Sequence, residues 1–198
     1  SQLICSVISP PLRGSASVAS VPPEPTPIGA GPYRLPMTAR STKPTESVWD
    51  FPRPPAIERV DWRVRVVHRG EAIADAPWAL RILETSQPPA YYLDPAFVEA
   101  DRLRPSDHRT FCEWKGAATY ADVMTSDGAT TPQAAWTYDP ISPRYADALG
   151  FWAFYAQVLD ECWIDDERVE SNPGNFYGGW VTINVEGPFK GAPGTLHW

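Results

Sequence analysis

Short strand-length segments separated by turn residues follow one another from residue 46 onward, and they restrict the chain to a β-rich fold. Val64 and Val66 alternate with arginines over residues 62–67, and a turn at 68–71 leads into a returning apolar segment. This pattern predicts a hairpin with one buried face. Because no long helical periodicity separates such segments, we expect a compact antiparallel sandwich or barrel, not a parallel α/β sheet.

Further strands are predicted along the chain by the same criteria. They lie at 79–84, 90–93, 111–120, 134–138, 151–155, 158–164 and 179–185. The 111–120 segment is predicted as a single strand, with Gly116 at a bend or bulge. Residues 143–149 predict one or two short helical turns. The expected class is therefore mainly β.

A leader of different composition precedes these strands. Prolines recur at positions 10, 11, 22, 23, 25, 27, 32 and 36, with serine, glycine and alanine between them. Such a segment buries too little apolar area to offset the entropy of ordering it. We therefore predict a disordered leader over residues 1–45 and one β domain over 46–198. Met37 opens a start-like stretch and is the expected functional beginning.

The charge and cysteine content exclude several classes of partner. The formal net charge is -7, which disfavours electrostatic binding to nucleic acid or to an anionic membrane. No apolar run approaches the roughly 20 residues of a membrane helix. The three cysteines form no CxxC pair and the three histidines are scattered, so we expect neither a metal nor a cofactor. Reduced thiols are typical of the cytoplasm, the location we predict.

One candidate site lies in the stretch 107–116. On a regular strand Cys112 and Lys115 face opposite sides, which favours a small buried thiol and a solvated surface charge. A bulge near Gly116 would instead re-aim Lys115 towards Cys112 and permit nucleophilic chemistry. His108 lies four residues from Cys112, too far along an extended strand to act as its base without a turn.

Two other stretches carry candidate functional groups. The paired Gly178 and Gly179 permit close approach of the backbone to another group, and the aromatic residues beside them can stack on a planar ligand. The alternative, a glycine-rich turn covered by core aromatics, is favoured because turns require such residues. Glu84, at the end of a predicted strand, is either an acid or base or a solvated cap.

These stretches together resemble a family known as domain of unknown function 427, which is sometimes labelled nucleotidyltransferase-like. The similarity lies in the segments ESVWDFPRPP (46–55), VRVVHRGEAIADA (64–76), ETSQPPAYYLD (84–94), LRPSDHRTFCEWKGAATY (103–120), AAWTYDP (134–140), FWAFYAQ (151–157) and NFYGGWVTINVEGPFKGAPGT (175–195). Gln87 and Ala192 depart from the expected pattern, which would have His and Gly there.

The resemblance implies a compact antiparallel β fold, tent-like or barrel-like, and carries no established activity. The acidic pairs that would hold Mg²⁺ for nucleotidyl transfer are not evident. The residues on the family's motifs are Cys112, Trp114, Lys115, Gly116, Tyr120, Trp136, Tyr138, Tyr177, Gly178, Gly179 and Trp180.

Three functions are compatible with these features. The leading hypothesis is a domain that binds an unidentified small molecule in an aromatic pocket, built from the 110–120 strand and the 175–180 loop. The ligand-binding residues would be Trp114, Gly116, Tyr120, Trp136, Tyr138, Tyr177, Gly178, Gly179 and Trp180. The first alternative is an enzyme with Cys112 as nucleophile, assisted by Lys115 or His108. The second is a protein-interaction module.

Overall fold

The computed structural model describes residues 43–174, 176–195 and 197–198, which belong to one unit, Arg40–Trp198. Apart from residues 43–45, the predicted leader and Met37 lie outside the described residues. The strands are β1 (Glu46–Ser47), β2 (Ala56–Val60), β3 (Val64–His68), β4 (Glu71–Ala76), β5 (Ala79–Leu83), β6 (Ala90–Tyr92), β7 (Leu103–Cys112), β8 (Gly116–Met124), β9 (Thr130–Thr137), β10 (Ala153–Phe154), β11 (Glu161–Ile164), β12 (Glu167–Arg168), β13 (Glu170–Ser171), β14 (Trp180–Val181) and β15 (Val185–Glu186).

The helical segments are short 3₁₀ turns at Pro95–Phe97, Ala100–Arg102 and Pro143–Ala148. The last of them confirms the short helical turns predicted at 143–149. Among the described residues, no helix has both the length and the apolar character needed to cross a membrane.

The strands form several small sheets, and the mainly β class is confirmed. Two sheets have four strands, in the orders β10-β9-β8-β7 and β12-β11-β3-β4, and a third has the order β2-β5-β6. All pairings in these three sheets are antiparallel. The parallel pair β1–β15 and the antiparallel pair β13–β14 complete the set. Each sheet in the described part of the chain is open, so the architecture is compatible with a sandwich and forms no closed barrel.

The predicted hairpin at residues 62–74 is confirmed and supplies much of the core. Val64 and Val66 on β3 are fully buried, as the alternation predicted, and Ile73 of β4 packs in the same cluster. Burying each of these side chains stabilises the fold by about 1.5–3 kcal/mol. Arg69 and Gly70 both have positive φ, which is what a tight hairpin turn requires.

The single strand predicted over 111–120 is wrong. Strand β7 ends at Cys112 and β8 begins at Gly116, so residues 113–115 form the turn of a hairpin. Gly116 has φ +103°, a conformation that suits glycine and reverses the chain there. The first part of β7 was not predicted because it lies at the edge of its sheet, where polar residues and Pro105 replace alternation.

The last predicted strand, 179–185, is also interrupted. It divides into β14 and β15, which pair with different partners. Between them, the Thr182 hydroxyl donates to the Asn184 side-chain oxygen over 2.9 Å, and the Asn184 amide donates to the Pro44 carbonyl over 3.0 Å. Side-chain hydrogen bonds of this kind compete with regular strand pairing.

Beside β5, a buried arginine is held by two carboxylates. Arg81 is 5% exposed and makes two 2.6 Å bonds to Glu46 and one to Glu58, while its guanidinium lies 4.9 Å from the centre of the Trp62 ring. Burial lowers the pKa of Arg81, but the hydrogen bonds to the two glutamates outweigh burial, and the net shift is upward. The arginine is therefore always charged and ties β1 and β2 to β5.

Candidate functional site

A cavity of about 440 Å³ lies between the β7–β8 hairpin, strands β5, β6 and β9, and the segment 176–179. This volume is within the range of about 300–1,000 Å³ that small-molecule sites occupy. Aromatic side chains are the largest group in its wall, and they include Tyr92, Trp114, Tyr120, Trp136, Tyr138, Tyr155 and Tyr177. Charged side chains also reach it, namely Arg53, Glu84, Glu113, Lys115 and Lys190.

The aromatic wall is held rigidly by its own contacts. The Trp136 indole donates to the Tyr92 hydroxyl over 3.2 Å, and its ring lies 4.4 Å from that of Tyr155. Tyr155 in turn is stacked on Tyr120 at 6.4 Å. Burial raises the pKa of Tyr92, Tyr138 and Tyr155 well above the usual tyrosine value. These phenols therefore keep their protons at neutral pH.

The β7–β8 turn brings Cys112 and Lys115 together on the cavity side. Lys115 is only 8% exposed, so the prediction of a solvated surface charge is wrong. Its main-chain carbonyl accepts from Ser142 N–H over 2.9 Å, and its ammonium interacts electrostatically with the Cys112 thiol. The ammonium also lies 5.7 Å from the centre of the Tyr138 ring.

The electrostatic surroundings of Lys115 favour its charged form. Burial lowers the pKa of this lysine, but interactions with Tyr92, Cys112 and Glu84 outweigh burial, so its pKa lies above the ordinary value. The ammonium is therefore present throughout the physiological pH range.

The other charges at the cavity are in a salt bridge, hydrogen-bonded to the main chain or exposed. Arg53 and Glu84 form a salt bridge of 3.2 Å. Lys190 donates to the main-chain oxygen of Trp198 over 2.7 Å. Glu113 is exposed in the turn. By contrast, Lys115 forms no salt bridge with any residue that the structure describes.

Most of the candidate residues from the sequence line this one cavity. They are Glu84, Cys112, Trp114, Lys115, Tyr120, Trp136, Tyr138, Tyr177, Gly178 and Gly179. Cys112 is half-buried in the wall, whereas we expected a fully buried core thiol.

Three candidates lie elsewhere. Trp180 is in the core, where its indole donates to the Phe154 carbonyl over 2.9 Å. His108 is exposed on β7 and its ring packs against Tyr120 at 4.6 Å, outside the cavity wall. Gly116 shapes the hairpin turn.

The paired glycines permit close approach, but to the protein's own side chains and backbone. A Cβ atom at Gly178 would lie 2.2 Å from the nearest Trp136 ring carbon. At Gly179 it would lie 2.4 Å from the carbonyl oxygen of Pro88. These glycines let the segment press against β9 and the loop before β6, and so close one side of the cavity.

Several wall residues escaped prediction from the sequence. Tyr92 and Tyr155 belong to strands that were predicted, and only tertiary packing turns their rings towards the cavity. Phe111 and Phe176, which lie in the two stretches predicted to form the pocket, stand at the cavity with 78% and 61% of their surface exposed. Arg53 and Lys190 come from distant parts of the chain. The heavy aromatic content was the available signal.

Metal-binding side chains are not clustered in the described part of the chain: no group of three or more His, Cys, Asp or Glu residues there could hold an ion. Cys112 and Cys162 are free thiols.

Comparison with known proteins gives one family and no annotated relative. A family model described as a domain of unknown function (DUF427) matches residues 56–165, more than half of the chain. No curated protein matches the sequence.

Proposed function

We propose a function from the cavity itself, because the chain belongs to the DUF427 family, whose description assigns no activity. The domain binds a small molecule between the β7–β8 hairpin and the segment 176–179. The observation that carries this proposal is the concave aromatic wall. Tyr92, Tyr120, Trp136 and Tyr138 pack in the core and also border this space of about 440 Å³. A ligand that fills this space would remove apolar ring surface from water and be stabilised by it.

The shape of the site favours a small ligand over a protein partner. A protein-interaction surface presents its aromatic residues on an exposed patch. Here Trp136 and Tyr138 are buried in the cavity wall, and Tyr155 is half-buried beside them. The net charge of -7 supports no nucleic-acid or anionic membrane partner. We also propose that the protein is cytoplasmic, which the free thiols of Cys112 and Cys162 support.

One contact favours a second candidate function, an enzyme with Cys112 as nucleophile. Lys115 and Cys112 both line the cavity and interact electrostatically, so a thiol and a cation face the same space. That arrangement is one way in which proteins activate a cysteine. His108 supports no role as the base, because its side chain does not line the cavity.

Native mass spectrometry of the freshly purified protein tests the proposal. We expect a copurified small molecule, or binding from a fragment library, in the wild-type protein. Tyr155→Ala should weaken binding because it removes a ring from the wall. The matched control is Trp163→Ala, another half-buried aromatic, which lies on β11 away from the cavity. Equal binding by the two variants would place the ligand elsewhere, and no binding to the wild-type protein would refute the proposal.

A further inference from the structure

Lys115 carries its charge where the protein provides few acceptors. Its ammonium has three N–H donors, and the sulfur of Cys112, with which it interacts electrostatically, is only a weak acceptor. The side chain is more than nine-tenths buried and forms no ion pair with the described residues. Buried lysines are normally paired, because an uncompensated charge is costly to remove from water. A bound ligand in the adjacent cavity could therefore supply the negatively charged partner for Lys115.

The five charged side chains that line the cavity, Arg53, Glu84, Glu113, Lys115 and Lys190, sum to one positive charge. Arg53 and Glu84 cancel each other in their salt bridge. Lys190 donates to a main-chain oxygen, and its positive charge is offset in the sum by Glu113, which is exposed in the turn. Of these five side chains, Lys115 alone is buried.

A second donor in the same wall also lacks a partner. The indole N–H of Trp114 is buried and has no acceptor among the residues described. Trp114 precedes Lys115 in the turn, and both line the cavity. A carboxylate has two oxygens and accepts from several donors, so one such group is suited to both.

From these observations we propose that the cavity binds a flat organic monocarboxylate, with its carboxylate at Lys115 and its ring against the aromatic wall. This inference rests on the proposed small-molecule function and specifies the ligand class. A single negative charge is favoured because it cancels the net positive charge of the five side chains. A phosphate dianion would leave a second, uncompensated charge in a buried place.

The test uses probes that share one ring system and carry different head groups, which are anionic, neutral or cationic. They are 2-naphthoate, its neutral amide, the corresponding naphthylmethylammonium and naphthyl phosphate, titrated by isothermal calorimetry into the full-length protein at pH 7. We expect naphthoate to bind roughly 10- to 100-fold more tightly than the amide, the range of a charge-assisted hydrogen bond in a buried site. The ammonium and the phosphate should both bind more weakly than naphthoate.

Two variants assign the preference to Lys115. Lys115→Met removes the charge and keeps most of the stem, and should reduce the preference for naphthoate over the amide to less than about threefold. Lys115→Arg keeps a cation and should retain part of the preference. Arg104→Met is the control, because it removes an exposed charge from β7 outside the cavity. Its preference should equal that of the wild-type protein.

The other possible results contradict either the anion assignment, the role of Lys115 or the proposed cavity function. Equal affinity of the wild-type protein for naphthoate and amide would overturn the anion assignment and leave the proposed cavity function standing. Tighter binding of the ammonium or the phosphate would also overturn it, and the wild-type comparison holds even if Lys115→Met does not fold. A preference that survives in a folded Lys115→Met would remove Lys115 from the site. No binding by any probe would count against the proposed function as well.

Discussion

Replacing Gly178 by alanine tests whether the close approach of the 176–179 segment to β9 shapes the cavity. The new Cβ would lie 2.2, 2.6 and 3.2 Å from three ring carbons of Trp136. Carbon atoms in contact prefer about 3.5–4.0 Å. Either the ring or the segment must therefore move by more than 1 Å. The ring is restrained by its bond to the Tyr92 hydroxyl and by its contact with Tyr155.

The expected cost follows from this restraint. Overpacking of a well-packed region destabilises proteins by about 1–3 kcal/mol. For a domain of this size, each kcal/mol lowers Tm by about 2–4 °C, so the variant should melt about 2–12 °C earlier. Because Trp136 forms part of the wall, ligand binding should also weaken. Urea unfolding and calorimetric melting measure the first effect, and Trp fluorescence during ligand titration measures the second.

A double-mutant cycle with Trp136→Phe decides whether the clash is the cause. Phenylalanine lacks the outer ring that the new Cβ would meet, so Gly178→Ala should cost clearly less on the Trp136→Phe background than on the wild-type background. Additive effects would refute this reasoning, because they would show that the cost arises elsewhere. An unchanged Tm for Gly178→Ala alone would show that the segment moves freely.

Three further predictions concern other parts of the molecule. Iodoacetamide at pH 7.5 should modify Cys112 before Cys162 in peptide mapping, because Cys112 faces the cavity, whereas Cys162 is 3% exposed and burial raises its pKa to about 12. Arg81→Met should lower the free energy of unfolding by about 3 kcal/mol in urea titration, since it leaves two carboxylates unpaired. Hydrogen bonds from the Thr125 hydroxyl, Ala129 N–H and Arg69 lower the pKa of Asp127 from 3.8 to about 2. The wild-type protein should therefore have a higher Tm than Asp127→Asn at pH 5, and this difference should vanish as the pH falls through 2.

Controls and contradicting results are available for each. Faster labelling of Cys162 would mean that the two thiols are not exposed as the structure shows them. The double variant Glu46→Gln with Arg81→Met should recover part of the stability, and a failure to do so would show that the loss is not due to the unpaired carboxylate. A Tm difference for Asp127→Asn that persists unchanged to pH 2 would contradict the lowered pKa of that carboxyl group.

The sequence by itself was sufficient for the fold class and for the family. The alternation of Val64 and Val66 with arginines depends on two-residue periodicity, which is local and survives in the structure. The motif residues around Cys112 and around Gly178 were identified as candidates without knowledge that they meet. Local alternation did not predict the first part of β7, which lies at a sheet edge. It also did not predict the interruption between β14 and β15, where side-chain hydrogen bonds take the place of strand pairing.

Only the tertiary structure decided that the separate candidate stretches meet at one cavity and which side chains face its interior. The alternation rule placed Cys112 and Lys115 on opposite faces of a strand. A three-residue turn ending at Gly116 instead puts both at the cavity wall. Tyr92 and Tyr155 enter the wall through pairings between distant segments. Such pairings depend on which sheets pack together, and this is a property of the whole chain that no window of neighbouring residues contains.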